Sequence, residues 1–161
     1  MSVVEYREYS VLMSVYHKEK PEYLKQAIES IQTQTLSTND FVLVCDGPLN
    51  EQLDGVIATK QQEMGESLNV VRLAKNGGLG NALNEGIKHC KNELVARMDS
   101  DDIAYPERCE KQLVVFNEHS EVSICSGIVE EFTANPDIVD ARRVPPENNE
   151  DILEFAKKRN P

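Results

Sequence analysis

Asp99, Asp101 and Asp102 crowd three carboxylates around Ser100, directly after the apolar run Leu94 to Met98. Ionised carboxylates this close raise one another's pKa unless a cation intervenes. The cluster is therefore either a solvated turn, whose aspartates cap a helix opening near Pro106, or a metal site. Mg2+ and Mn2+ prefer hard oxygen ligands, and Mg2+ commonly takes one or two carboxylates while substrate phosphates and waters complete its shell. In an extended segment residues i and i+2 share a side, so Asp99 and Asp101 could address one ligand. A further acid, Asp46, closes the run "VLVCD" ahead of Gly47 and Pro48. Asp-Gly is ordinary turn chemistry, but a carboxylate that only accepts hydrogen bonds also suits the ring N–H of uracil or guanine. The stretch "KNGGLGNALNEG" fails as a dinucleotide fingerprint, because Leu83 stands where the third glycine belongs, and the P-loop lysine and hydroxyl are absent. It reads either as a strand-to-helix turn with positive φ at Asn76 and Gly77, or as backbone at Gly77 and Gly78 that a ribose or diphosphate approaches closely.

The elements that must position these residues alternate between two periods. Ser10 to Val15, Phe41 to Cys45, Leu68 to Leu73, Leu94 to Met98 and Val122 to Val129 are short, apolar and rich in β-branched residues, the pattern of strands covered on both faces. Between them, Leu24, Ala27, Ile28 and Ile31 form a helical stripe behind Pro21, as do Leu53, Val56 and Ile57, then Leu79, Ala82, Leu83 and Ile87, then Cys109, Leu113 and Phe116. Alternating strands and helices with right-handed crossovers predict a doubly wound, mostly parallel α/β sheet with helices on its faces. Ligands of such sheets bind outside the carboxyl ends of the strands, where the strand order reverses. Asp46 and the acidic cluster are thus expected at one crevice.

Composition narrows the partners. Seventeen basic against 28 acidic side chains give a net charge of −11, which excludes a duplex nucleic-acid surface. The 161 residues are expected as a single domain. Cys45, Cys90, Cys109 and Cys125 form no C-x-x-C pair and read as buried thiols of a reducing cytosol. No apolar run reaches the roughly 20 residues that span a bilayer, and Met1 to Ser10 lacks the order of a signal peptide, so the expected location is cytoplasmic. His17, His89 and His119 have no metal-binding spacing.

Taken in order, "YSVLMSVYHKEKPEYLKQAIESIQTQTL", "VLVCDG", "NGGLGNALNEGI" and "ARMDSDDIAYPERCEKQ" resemble the inverting family 2 glycosyltransferases, over about residues 9 to 130. The likeness is to bacterial enzymes of capsular and exopolysaccharide biosynthesis, of the amylovoran type. It implies a GT-A fold that binds a nucleoside diphosphate sugar, most simply a uridine one, with Mn2+ or Mg2+. Carried over by position, Ser14, Val15 and Tyr16 line the nucleoside pocket, Asp46 binds the base, and Asn76 and Gly77 lie beside the nucleotide with Arg72 or Lys75 nearby. Asp99 approaches the ribose or sugar and Asp101 holds the metal, while Asp102 has no clear place. The implied acceptor is a saccharide or lipid-linked saccharide, met at the inner face of the membrane.

The sequence departs from the family in length and in its base. Members continue further, so the chain is expected to be an N-terminal portion whose catalytic base lies beyond it. Glu130 and Glu131 come too early for that role, and Glu150 and Asp151 suit the first turn of a helix. Lys157, Lys158 and Arg159 suit that helix's end, or anionic lipid in a longer protein. Two alternatives stand beside this reading: a Mg2+-binding receiver-like module, and a nucleotide-binding pseudo-enzyme. A receiver would carry lysine after its fifth strand, where Glu130 and Glu131 stand.

Overall fold

β1 (Tyr9–Val15), β2 (Phe41–Cys45), β3 (Leu68–Arg72) and β4 (Leu94–Asp99) pair in parallel in the order β3-β2-β1-β4 in a computed structural model that describes residues 6–157. The intervening helices are α1 (Pro21–Gln32), α2 (Glu51–Met64) and α3 (Leu79–Gly86), and α4 (Arg108–Glu118) follows β4. Because side chains alternate along a strand, the sheet has two apolar faces. Val11, Met13, Val15, Phe41, Leu43 and Cys45 pack against α1, α2 and α4 through Leu24, Ile28, Leu53, Ile57, Cys109 and Leu113. Leu12, Val42 and Val44 pack against Ala82 of α3. Each fully buried Leu or Ile contributes about 1.5–3 kcal/mol. On that second face α3 lies close to the sheet: a Cβ at Gly86 would come within 2.5 Å of the Leu12 side chain and 2.6 Å of Val44.

The order β3-β2-β1-β4 means that the chain winds outward from β1 and then crosses to β1's other edge, so the reversal falls between β1 and β4. Register brings the far-apart candidates level at the carboxyl edge. Ser14 is opposite Asp99, Val15 opposite Cys45, and Cys45 opposite Arg72. Polar groups at the other edge are satisfied internally: the buried Asp40 accepts from Ser10 Oγ at 2.5 Å and from the Lys91 N–H at 2.7 Å. Between α1 and α2 the buried Lys60 ammonium donates to Glu29, Gln32 and Glu63.

The chain divides into two compact units, Met1–Asn117 and Glu118–Pro161. The first holds the parallel sheet. In the second, β5 (Val129–Glu131) and β6 (Ala141–Arg143) form an antiparallel pair, and α5 (Asn149–Ala156) starts at Asn148, whose side chain accepts from the Asp151 N–H. The strand expected at Val122 to Val129 is a correction. Apolar, β-branched composition shows only that a segment fits a pleated surface, whereas a strand exists where its backbone finds a ladder partner. Val129 finds one in Arg143; residues 122–128 form no strand, and Ile124 is 87% exposed. The helix expected from Pro106 opens at Arg108. Cys45 and Cys109 are buried as expected, Cys45 with its thiol pushed up to about 11 by desolvation, but Cys90 and Cys125 are partly exposed. Among the described residues no helix is long and apolar enough to cross a membrane. Lys157 follows α5, and Lys158 and Arg159 lie outside the described residues.

Candidate functional site

The crevice at the carboxyl edge of the sheet is built from four segments, each released where a strand ends. After β1, Tyr16 is 43% exposed and stands edge-on to His17, with ring centroids 5.7 Å apart. Ser14 is half-buried, whereas the Val15 side chain lies in the core and its carbonyl accepts the Asp46 N–H at 2.8 Å. The loop turns back through a 3.0 Å hydrogen bond from the Glu19 N–H to the Tyr16 carbonyl and enters α1 at Pro21.

After β2, Asp46 is buried, and its carboxylate is occupied from within the fold. Oδ1 accepts the Gly77 N–H at 2.8 Å and Oδ2 the Gly78 N–H at 2.9 Å. The backbone donors that open α3 thus receive an anion from the protein itself, which suits the positive end of a helix. Positive φ occurs at Gly47 and Gly78, at 86° and 85°, and not at Asn76 and Gly77, where the sequence reading put it. At Gly47 the turn also has no room: a Cβ there would lie 2.5 Å from the Asn76 nitrogen. Asn76 Nδ2 donates to the Asp46 carbonyl at 3.2 Å, so the turns after β2 and β3 form one hydrogen-bonded unit. Arg72 is drawn to Asp54 of α2 at 2.7 Å, while Lys75 is exposed and has no ion pair among the described residues.

After β4 comes the acidic turn. Both Asp99 oxygens accept from the Arg97 guanidinium, through Nη1 at 2.7 Å and through Nη2. Ser100 points inward, buried, and donates to Glu19 Oε2 at 2.7 Å. Asp101 is exposed and makes no hydrogen bond among the described residues. Partial desolvation, with Asp99 and Asp101 as negative neighbours, holds the Asp102 carboxyl above its usual range. The turn is anchored downstream as well. The Ala104 N–H donates to Ser30 Oγ at 3.0 Å, Gln34 Nε2 donates to the Tyr105 carbonyl at 2.8 Å, and Gln34 Oε1 accepts the Cys109 N–H at 2.9 Å. Arg108 reaches back to the Arg97 carbonyl at 2.8 Å.

No group of three or more His, Cys, Asp or Glu side chains converges on one point among the described residues. A single exposed carboxylate, Asp101, still fits Mg2+ or Mn2+, which take much of their shell from phosphates and water. Asp99, with one Arg97 donor on each oxygen, could join through its remaining lone pairs. Sequence reasoning missed Glu19, Ser30 and Gln34; a polar side chain on an apolar helix stripe was the available signal at Ser30, and nothing local marks Glu19. Three of the four acids weighed for a base are engaged elsewhere. Glu130 pairs with Arg142 at 2.7 Å, Glu131 pairs with Arg143, and Asp151 accepts from Asn148 at 2.6 Å.

The family model described as glycosyl transferase family 2 matches residues 10–160, through both compact units. This chain belongs to that family. It is 46% identical over 153 residues to the amylovoran biosynthesis glycosyltransferase AmsE of Erwinia amylovora, covering 95% of this chain and 56% of the relative. It is 37% identical to the UDP-Gal:alpha-D-GlcNAc-diphosphoundecaprenol beta-1,3-galactosyltransferase of Escherichia coli, covering 96% and 55%. The chain therefore spans about half the length of these relatives. Among solved structures, S. aureus TarS 1-349 in complex with UDP matches with a TM-score of 0.60 and 27% identity, over 70% of this chain and 33% of that one. The fold is the GT-A-like parallel sheet flanked by helices that the sequence predicts. Family membership and the strand order, which is not the 2-1-3-4-5 order of receivers, set aside the receiver reading.

Proposed function

We propose that the carboxyl-edge crevice binds a uridine diphosphate sugar together with Mn2+ or Mg2+, for transfer of the sugar to a saccharide or lipid-linked saccharide of a bacterial surface polysaccharide. The observation that carries this reading is the register. It brings Ser14, Asp99, the Asp46 turn and the free Asp101 carboxylate to one edge of a family 2 chain. The E. coli relative's name specifies a UDP-sugar donor and a diphosphoundecaprenol-linked acceptor, and TarS has been solved with UDP and with UDP-GlcNAc.

In this reading the exposed Tyr16 ring packs against the base. Asp46 fixes the Gly77–Gly78 backbone beside the nucleotide, and its remaining lone pairs accept the base N–H. Lys75, without a protein partner among the described residues, offers its ammonium to the diphosphate, and Arg72 adds positive charge at the same edge. Asp99 approaches the ribose or sugar. Asp101 would hold the cation, which when bound supplies charge neutralisation at the diphosphate leaving group. The enzyme acts in the cytoplasm at the inner face of the membrane, where a lipid-linked acceptor is presented. Calorimetric titration with uridine, guanosine and adenosine diphosphates, each with Mn2+ and with EDTA, tests the proposal. Preference for the uridine compound and dependence on Mn2+ are the expected results; equal binding of all three, or none, would overturn it.

A further inference from the structure

We infer that Glu19 is the positioning residue of the acidic turn, tying the loop beneath the nucleoside to the turn that carries the metal carboxylate. The inference rests on the donor-site reading above and names what holds that site in shape. Three observations carry it. Ser100, the residue between Asp99 and Asp101, is 6% exposed, and its hydroxyl donates to Glu19 Oε2 at 2.7 Å across 81 positions of sequence. The other Glu19 oxygen accepts the Lys20 N–H at 2.8 Å, and the Glu19 N–H donates to the Tyr16 carbonyl at 3.0 Å, so Glu19 is itself fixed in the Tyr16–Lys20 loop. Downstream, the Ala104 N–H is bound to Ser30 Oγ. Asp101 to Ile103 is thus a short exposed span between two anchors, and Glu19 supplies the one nearer the metal carboxylate.

The physical consequence follows from what a carboxylate needs in order to act as a metal ligand. Asp101 has no protein hydrogen bond to orient it among the described residues, so its position depends on the backbone that carries it. Without the Glu19 acceptor, the buried Ser100 hydroxyl loses its partner and the turn loses its upstream anchor. The ligand geometry then has to be assembled on binding, at a cost in ordering. A carboxylate suits this task better than a neutral acceptor, since a hydrogen bond to a charged group is the stronger kind.

The test uses the 161-residue chain and uridine diphosphate, titrated with Mn2+ and again with EDTA. Glu19→Ala and Ser100→Ala should each weaken the Mn2+-supported affinity about tenfold while leaving the affinity in EDTA within about twofold. The double variant should be no weaker than either single one, because both remove the same contact. Glu19→Gln, which keeps an acceptor for the Ser100 hydroxyl, should recover most of the loss. Unchanged affinity, equal losses with and without Mn2+, or additive losses in the double variant would each overturn the inference. If the parent chain binds no uridine diphosphate, the donor-site reading fails by itself, and amide exchange then decides the tether. Glu19→Ala should speed exchange of the buried Ala104 amide, which is bound to Ser30 Oγ, about tenfold, and unchanged exchange there would refute the positioning role.

Discussion

Asp101 and Asp46 are both crevice acids, yet their surroundings predict different consequences of substitution. Asp101 is exposed and packs against nothing that a shorter side chain would disturb. Asp101→Ala should therefore abolish most Mn2+-dependent nucleotide affinity and leave the unfolding free energy from urea titration within about 0.5 kcal/mol of the parent's. Mn2+-dependent affinity equal to the parent's would show that the cation is held elsewhere. Asp46 is buried and accepts two backbone N–H groups, one on each oxygen. In Asp46→Asn the amide nitrogen must face one of those donors, so both stability and nucleotide affinity should fall, each by about 1–3 kcal/mol. Chemical denaturation beside calorimetry measures the two losses. A loss confined to affinity would mean that Asp46 serves the base and not the glycine turn.

At the scale of elements, the site depends on contacts that hold loops to one another. The Gly47 turn is the sharpest case, because positive φ and the adjacent Asn76 backbone both forbid a side chain there. Gly47→Ala should cost more than the roughly 1 kcal/mol of a strained φ alone, since the obstacle is backbone that cannot rotate away. A melting temperature within a degree of the parent's would contradict this. Gln34 plays a corresponding part behind the acidic turn, buried just past the end of α1 and serving the Ser30 and Tyr105 carbonyls and the Cys109 N–H of α4. Gln34→Leu preserves volume but leaves the Cys109 N–H without its acceptor and removes one donor each from the Ser30 and Tyr105 carbonyls. It should destabilise by about 2–3 kcal/mol in a urea titration, whereas a neutral result would mean that water replaces the amide.

For the molecule as a whole, binding and folding are linked. A ligand that binds the native state alone, at about a hundred times its dissociation constant, stabilises it by roughly 2.7 kcal/mol. Uridine diphosphate with Mn2+ should accordingly raise the melting temperature by about 5–11 °C for a chain of this size, and EDTA should remove most of the gain. Absence of any shift with uridine, guanosine or adenosine diphosphate would remove the basis for a donor site. The net charge of −11 makes the metal and the local donors more consequential, because the global field repels a diphosphate.

How far each feature was legible follows from the range of the interactions that create it. The parallel sheet and its helices could be read in advance because strand and helix periodicity is local, and short apolar, β-branched runs bounded by turn residues fit buried strands. The resemblance in the order of "VLVCDG", "NGGLGNALNEGI" and "ARMDSDDIAYPER" identified the family, since several weak motifs in sequence order constrain far more than any one of them. Asp46 and Asp101 could be named as candidates from residue type and place at strand ends. Their division of labour could not, because whether a carboxylate meets a glycine amide or open solvent depends on segments more than thirty residues away. The same holds for Val122 to Val129, whose composition suits a strand but whose backbone finds no strand partner before Val129. Glu19, an unremarkable acid in a loop, acquires its hydrogen bond to Ser100 only when β1 and β4 lie side by side. Sequence by itself determined the elements of the parallel sheet and which chemical groups stand at their ends; the tertiary structure decided which of those groups are already satisfied and which remain free for a ligand, because hydrogen-bond pairing and burial are properties of neighbours in space.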